Sequence, residues 1–229
     1  MAIAYVNGAI GSGVTSGSTI AAAAFSATSG NAIFVTIGFY NSPNRTVSSI
    51  ADTAGNTYSY TGRYTDSDAT IEIWFAQNIT GNASNVVTAT LSGAATERRI
   101  SVTQYSGCAT SSIQDTGYAP AGNVTAASPA QSTAATTANS GEVIIGAAYK
   151  NDDNTNPPTS PISGTTLRQQ VPNGTDPGHI TLENITTTAG SYRVGFNIGD
   201  DIPWMFLARA FKVAAAAQSK TWVVWIPMV

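Results

Sequence analysis

Short runs of β-branched and aromatic residues, each bounded by turn formers, recur along the whole chain. Ala32-Ile-Phe-Val-Thr-Ile-Gly-Phe-Tyr40 is apolar at nearly every position and stops at Asn41-Ser-Pro-Asn44, the pattern of a buried strand. Thr70 to Ala76 alternates instead, with Ile71, Ile73 and Phe75 on one face and Glu72 and Trp74 on the other. On the same grounds Val86 to Leu91, Ile100 to Tyr105, Val143 to Tyr149, Ile180 to Ile185, Tyr192 to Phe196 and Met205 to Val213 are predicted strands. Turn chemistry separates them at Asp52-Thr-Ala-Gly-Asn56, Thr80-Gly-Asn-Ala-Ser84, Pro172-Asn-Gly-Thr-Asp-Pro177 and Thr188-Ala-Gly-Ser191. No long window carries a helical stripe, and the alanine runs at 21–24 and 214–217 are too short to stand alone as helices. The pattern predicts an all-β chain.

The two halves of the pattern resemble each other. Ser29-Gly-Asn-Ala-Ile-Phe-Val-Thr-Ile-Gly-Phe-Tyr40 answers to Ser140-Gly-Glu-Val-Ile-Ile-Gly-Ala-Ala-Tyr149, and Gly55-Asn-Thr-Tyr-Ser-Tyr60 to Gly164-Thr-Thr-Leu-Arg168. The run Thr70 to Thr80 is echoed by His179 to Thr186, in the same order. A pseudo-duplicated unit follows, at about 17–107 and again at 129–213. Such a duplication fits a jelly-roll-like two-sheet sandwich in which the halves intercalate, or two immunoglobulin-like sandwiches in tandem. The joint, roughly Ser106 to Ser132, has no charged linker and reads as a crossover between packed sheets, which favours one sandwich domain over residues 1–213.

Composition narrows the picture. Only 10% of the 229 residues are charged, 10 Lys+Arg against 13 Asp+Glu, where an ordinary soluble domain shows about 25%. Thr (31), Ser (23) and Gly (21) stand in their place, while the hydrophobic fraction of 42% excludes a disordered chain. A net charge of -3, with no cluster of basic residues beyond Arg98-Arg99, argues against nucleic-acid binding. The longest apolar runs are interrupted by Arg209 and Lys212, which argues against a membrane span. A basic and apolar leader is not visible at Met1-Ala-Ile-Ala-Tyr-Val-Asn-Gly, so the expectation is a protein made in the cytoplasm that stays there or leaves inside an assembly.

Candidate chemistry is sparse. One cysteine, Cys108, excludes an internal disulfide and has no neighbouring cation to activate it. The single histidine, His179, alternates with Ile180 and Leu182 and is expected on a water-facing strand surface with Thr181 and Glu183. Glu72, Glu97, Glu142 and Glu183 are the only glutamates, and Glu72 and Glu183 hold matching places in the repeats, but strand-face carboxylates are expected to be solvated rather than catalytic. The acidic clusters Asp66-Ser-Asp68, Asp152-Asp-Asn154 and Asp200-Asp201 match no calcium loop, and Gly8 to Gly13 is not a phosphate loop. No catalytic residue, metal site or cofactor is therefore expected. Trp74 with Tyr58 and Tyr60 forms a candidate carbohydrate platform.

The most specific feature is an apolar arm. After the spacer Ala214-Ala-Ala-Ala-Gln-Ser219 comes Lys220-Thr-Trp-Val-Val-Trp-Ile-Pro-Met-Val229, so residues 214–229 form a spacer and an arm outside the repeat. Burying Trp222, Val223, Val224, Trp225 and Ile226 contributes about 8–15 kcal/mol gross. Ordering the backbone costs a comparable amount, so the arm needs strand hydrogen bonds or a preformed groove to dock. Extended, ten residues reach about 33 Å, far enough to meet a neighbouring subunit.

The stretch Val47-Ser-Ser-Ile-Ala-Asp-Thr-Ala-Gly-Asn-Thr-Tyr58, with Ile71 to Thr80, Asn85 to Leu91 and Ile100 to Gly107, resembles a β-sandwich domain found in tailed-phage virion proteins and bacterial surface proteins. That resemblance covers residues 1–213 and brings no catalytic motif. It implies a non-enzymatic structural protein of a phage virion, most simply a capsid decoration (cement) protein, made in the host cytoplasm. Its expected partners are the major capsid protein or another virion protein and copies of itself, with a trimer as the expected oligomer. The alternative is a carbohydrate-binding, receptor-binding module of a phage tail or fibre or of a bacterial surface protein.

Overall fold

A computed structural model describes residues 2–40, 44–66, 68–115, 121–125, 128–150, 158–173, 176–198 and 204–215. In chain order the first half forms β1 (Ala4–Gly13), β2 (Gly17–Ala21), β3 (Phe25–Ala27), β4 (Ala32–Tyr40), β5 (Val47–Asp52), β6 (Ser59–Thr65), β7 (Ala69–Ala76), β8 (Asn82–Asn85) and β9 (Val87–Ser106). The second half forms β10 (Ala121–Thr125), β11 (Ala130–Gln131), β12 (Ala135–Thr137), β13 (Val143–Tyr149), β14 (Ser160–Pro161), β15 (Thr166–Asn173), β16 (Asp176–Ile185), β17 (Gly190–Tyr192), β18 (Gly195–Asn197) and β19 (Trp204–Phe211).

The duplication is visible in the ladders. One sheet runs β1-β9-β4-β7-β6 and another runs β10-β19-β13-β16-β15, the same order of corresponding strands. Matching turns repeat it: Gly30 and Gly141 before β4 and β13, and Gly55 and Gly164 before β6 and β15, all have φ between 75° and 84°. Only glycine enters that left-handed region without strain, which is why these letters recur in the repeat. The chain is thus all-β, a sandwich of antiparallel sheets built on a duplicated strand pattern. Among the described residues the ladders stay within each half, so two sandwiches are stacked rather than interleaved.

Four layers result. Strand β9 is 20 residues long and serves two of them. Its first part pairs with β2 and β5 in an outer sheet, and its second part with β1 and β4 in the inner sheet. Glu97, at φ 49°, marks the place where the strand changes sheets. Sequence reading gives two strands here, Val86–Leu91 and Ile100–Tyr105; Ser92 to Arg99 carries no turn and stays extended through both sheets. In the second half β11-β18-β14 and β12-β17 supply the outer layer.

Three apolar cores lie between these layers. Ile33, Val35, Ile37 and Phe39 of β4 meet Ile20, Ile50, Val87 and Ala89 of the outer sheet in the first. The other side of the same inner sheet carries Phe34, Ile71, Ile73 and Tyr105, which meet Val143, Ile145, Tyr149, Leu207 and Phe211 of the second inner sheet. Ile144, Ile180, Leu182, Trp204 and Phe206 then face Val194 and Phe196 in the third. Strands β4 and β13 are buried on both faces, and this is why neither alternates in sequence.

The middle core has two-fold character. Strand β4 lies over β13, β1 over β15 and β6 over β10, while β9 and β7 lie over β16 and β19. What β1 is to β15, its counterpart β10 is to β6. The two halves therefore meet as two copies meet in an isologous dimer. Gly38 and Tyr149, each eight residues past its positive-φ glycine, occupy matching positions and face each other. A Cβ on Gly38 would come within 2.3 Å of the Tyr149 ring and 3.0 Å of His179. Two tyrosines would collide at this point, so one half supplies the ring and the other supplies the space for it.

Gly38→Ala is accordingly expected to destabilise the fold by about 1–3 kcal/mol through overpacking, measured by urea unfolding. The double variant Gly38→Ala, Tyr149→Leu should lose less than the sum of the two single losses, because the shorter side chain vacates the contested volume.

Candidate functional site

The loop Asp52-Thr-Ala-Gly-Asn56 is built around one carboxylate. Asp52 Oδ1 accepts from the Asn56 N–H at 2.9 Å, and Oδ2 accepts from Asn56 Nδ2 (2.8 Å), the Tyr58 hydroxyl (2.9 Å) and Asn85 Nδ2 (2.9 Å). Asn56 Oδ1 in turn accepts from the Thr80 N–H at 2.7 Å. Burial works to raise the Asp52 carboxyl pKa, but these donors outweigh it and hold it below the ordinary value. Burial first, and the Asp52 charge second, push the Tyr58 phenol well above its usual range. Tyr58 is thus tied into the loop and packed on the first core.

The three candidate platform residues divide by environment. Tyr60 on β6 is 46% exposed. Trp74, its cross-strand partner on β7, is half-buried, with ring centroids 5.4 Å apart in an edge contact. The Trp74 indole N–H donates to Glu72 Oε2 at 2.8 Å. The other Glu72 oxygen accepts from Arg63 Nε at 2.8 Å and from the Val47 N–H at 3.0 Å. Arg63 lies 5.6 Å from the centroid of the Tyr60 ring. One open aromatic face, one guanidinium and a buried carboxylate therefore share this corner of the first sandwich. Tyr58 serves the loop behind it.

The remaining candidates lie inside the fold. Glu72 and Glu183, expected to be solvated, are 0% and 2% exposed. Glu72 points into the first core beside Trp74, whereas Glu183 shares the opposite, inter-half side with His179 and bonds Arg168. The first inner sheet stands between the two carboxylates, so they do not bracket a common substrate. His179 is not water-facing either: it is fully buried, with Nε2 2.8 Å from Thr36 Oγ1, and Thr36 also meets Thr181 at 2.7 Å. The alternation of β16 places these side chains on the correct face; the first sandwich covers that face. Cys108 is buried, and burial pushes its thiol up to about 12. Burial also raises the Glu142 carboxyl, against the Asn139 amide and with a smaller push from Asp115.

Trp222, Val223, Val224, Trp225 and Ile226 lie outside the described residues, as do Asp152, Asp153, Asn154, Asp200 and Asp201. Among the described residues no group of three or more His, Cys, Asp or Glu side chains could hold a metal ion. A cleft of about 270 Å³ beside the Tyr60 corner is lined by Asn44, Arg45, Thr46, Arg63 and Thr65. Sequence reading passes over Arg45 and Arg63, which stand alone in the chain with no motif around them. Comparison with protein-family models, curated proteins and solved structures finds no match for this chain.

His179 makes stability depend on pH. Burial chiefly, and the neighbouring Arg99 charge, push its pKa from 6.5 down to about 3. The unfolded chain therefore binds a proton near pH 6.5 that the folded chain refuses until about pH 3. The stability is present in full above 6.5 and falls as pH drops through that value. The loss between pH 7 and pH 5 is expected to be about 2 kcal/mol in urea unfolding. His179→Gln should flatten this slope, and an unchanged slope would assign it to other groups.

Proposed function

We propose that this chain is a non-enzymatic structural protein of a virion, in the first place a capsid decoration protein. The observation that carries this reading is where the reactive side chains sit. Glu72, Glu183, His179 and Cys108 are all buried, and the first three bond to structural partners. Among the described residues, what faces outward is scarcely charged. On the outer sheet of the first sandwich, Thr19, Thr90 and Ser49 form one cross-strand row and Ala21, Thr88 and Ala51 the next. Such a surface does without the charges that usually keep β structures from associating, and it suits a protein that packs against flat neighbours. The virion assignment itself draws on the sequence resemblance over residues 1–213.

In this reading, the arm containing Trp222, Val223, Val224, Trp225 and Ile226 adds a strand to a sheet edge of the major capsid protein, another virion protein or a second copy, and Pro227 ends the ladder for want of an N–H. A homo-oligomer, with three copies around a symmetry axis, is the accompanying proposal. A second reading, a carbohydrate-binding module, is favoured by the open Tyr60 ring beside Trp74 and Arg63.

Deleting residues 218–229 is the test of the first reading. Light scattering and co-sedimentation with empty capsids should show a smaller oligomer and lost capsid binding, with the circular dichroism of the sandwiches unchanged. Assembly and binding that persist without the arm would overturn the docking mechanism.

A further inference from the structure

We propose that a cleft in the outer layer of the second sandwich binds an uncharged sugar residue. The inference does not rest on the Tyr60 corner, which belongs to the first sandwich. Among the described residues the outer layer of the second sandwich is split, because β12-β17 and β11-β18-β14 form separate ladders. Residues 132–134 and 193–194 run between the two pieces. A cleft of about 530 Å³ opens at this gap, with Asn184 of β16 as its floor and Gln131, Ser163, Ser191, Tyr192 and Arg193 in its walls. That volume lies within the range of about 300–1,000 Å³ usual for small-molecule sites.

Asn184 is the observation that carries the inference. It follows Ile180 and Leu182 on the face of β16 turned to the third core, where another apolar side chain would continue the row. Instead the position holds an amide that is 6% exposed and has no hydrogen-bond partner among the described residues. A buried amide left without a partner costs folding free energy, so the core gains nothing from it. The turn above it also keeps clear: a Cβ on Gly164, at φ 79°, would come within 3.0 Å of Asn184 Nδ2.

The lining selects the class of ligand. The Asn184 and Gln131 amides each present donors and an acceptor, and the Ser163 and Ser191 hydroxyls do the same. An anion needs donors alone and a metal ion needs acceptors alone, whereas a hydroxyl group both donates and accepts and so uses the whole set. Among the described residues no Asp or Glu lines the cleft. Tyr192 donates from its hydroxyl to the Thr188 carbonyl at 2.9 Å, which leaves its ring in the wall as the apolar surface for the C–H face of a sugar. Arg193 is anchored through Nη1 on the Ser132 carbonyl at 2.8 Å and keeps further N–H donors for the ligand.

The test is a glycan array of neutral, N-acetylated and acidic glycans, followed by titration calorimetry of the hits on the full chain. Binding to neutral or N-acetylated glycans is expected, lost in Asn184→Leu, weakened about tenfold in Gln131→Ala and unchanged in Tyr60→Ala. Asn184→Leu keeps the shape of the side chain and removes no bond within the fold, so its melting temperature should equal or exceed that of the wild type. A clear fall in that temperature would make the amide a structural partner and overturn the inference. Binding that survives Asn184→Leu and Gln131→Ala but is lost in Tyr60→Ala also overturns it and leaves the carbohydrate reading of the first sandwich standing. Binding to acidic glycans alone counts against it in the same way, and no binding to any glycan removes both.

Discussion

The contact between the two inner sheets is the constraint on which the rest of the molecule depends. Each five-stranded sheet has an outer layer on one face only, so its other face is a broad apolar surface that water cannot be allowed to wet. Phe34, Ile71, Ile73 and Tyr105 on one side, and Val143, Ile145, Leu207 and Phe211 on the other, remove that surface by covering each other. Because the halves share one strand order, the contact is that of a dimer whose two subunits are joined in one chain. Fusion lets the two faces diverge: Gly38 opposite Tyr149 is a fit that two identical halves could not make. The linker reinforces it, since Ala109 N–H donates to the Lys212 carbonyl and Asp115 N–H to the Ala210 carbonyl, along the end of β19.

Polar groups inside this contact follow the same logic. Thr36, Thr181 and Ser101 bond one another across the two sheets, and Thr181 Oγ1 donates to Ser101 Oγ at 2.6 Å. Tyr149 donates from its hydroxyl to the Glu97 carbonyl at 3.0 Å, at the place where β9 changes sheets. A buried hydroxyl without a partner is costly, so these pairings fix the relative placement of the sheets more sharply than apolar packing alone. The low overall charge belongs to the same design. With few ionic groups, both faces of β4 and β13 can be covered without stranding charges, and the ionic groups that are buried carry their own partners.

Much of this was legible in the sequence, and the failures are instructive. The repeat could be read because its signals are local: apolar runs for β4 and β13, and glycines where the backbone must turn left-handed. Strand β1 gives no strand signal in the sequence because Gly8 and Gly11 look like loop residues. They are glycine since a Cβ would strike the Val102 carbonyl oxygen at 2.2 Å in one case and that of Ala21 at 2.0 Å in the other. For His179, Glu72 and Glu183 alternation gives the correct faces but not their burial, because it reports which side a residue is on and not what lies beyond it. The Arg45 and Arg63 cleft had no local signal at all; a loop and a strand bring it together across the fold.

If the middle core binds the two sandwiches into one structure, they should unfold together. Differential scanning calorimetry of the intact chain tests this most directly. A single transition whose calorimetric and van't Hoff enthalpies agree is expected. Two separable transitions, one for each half, would contradict it.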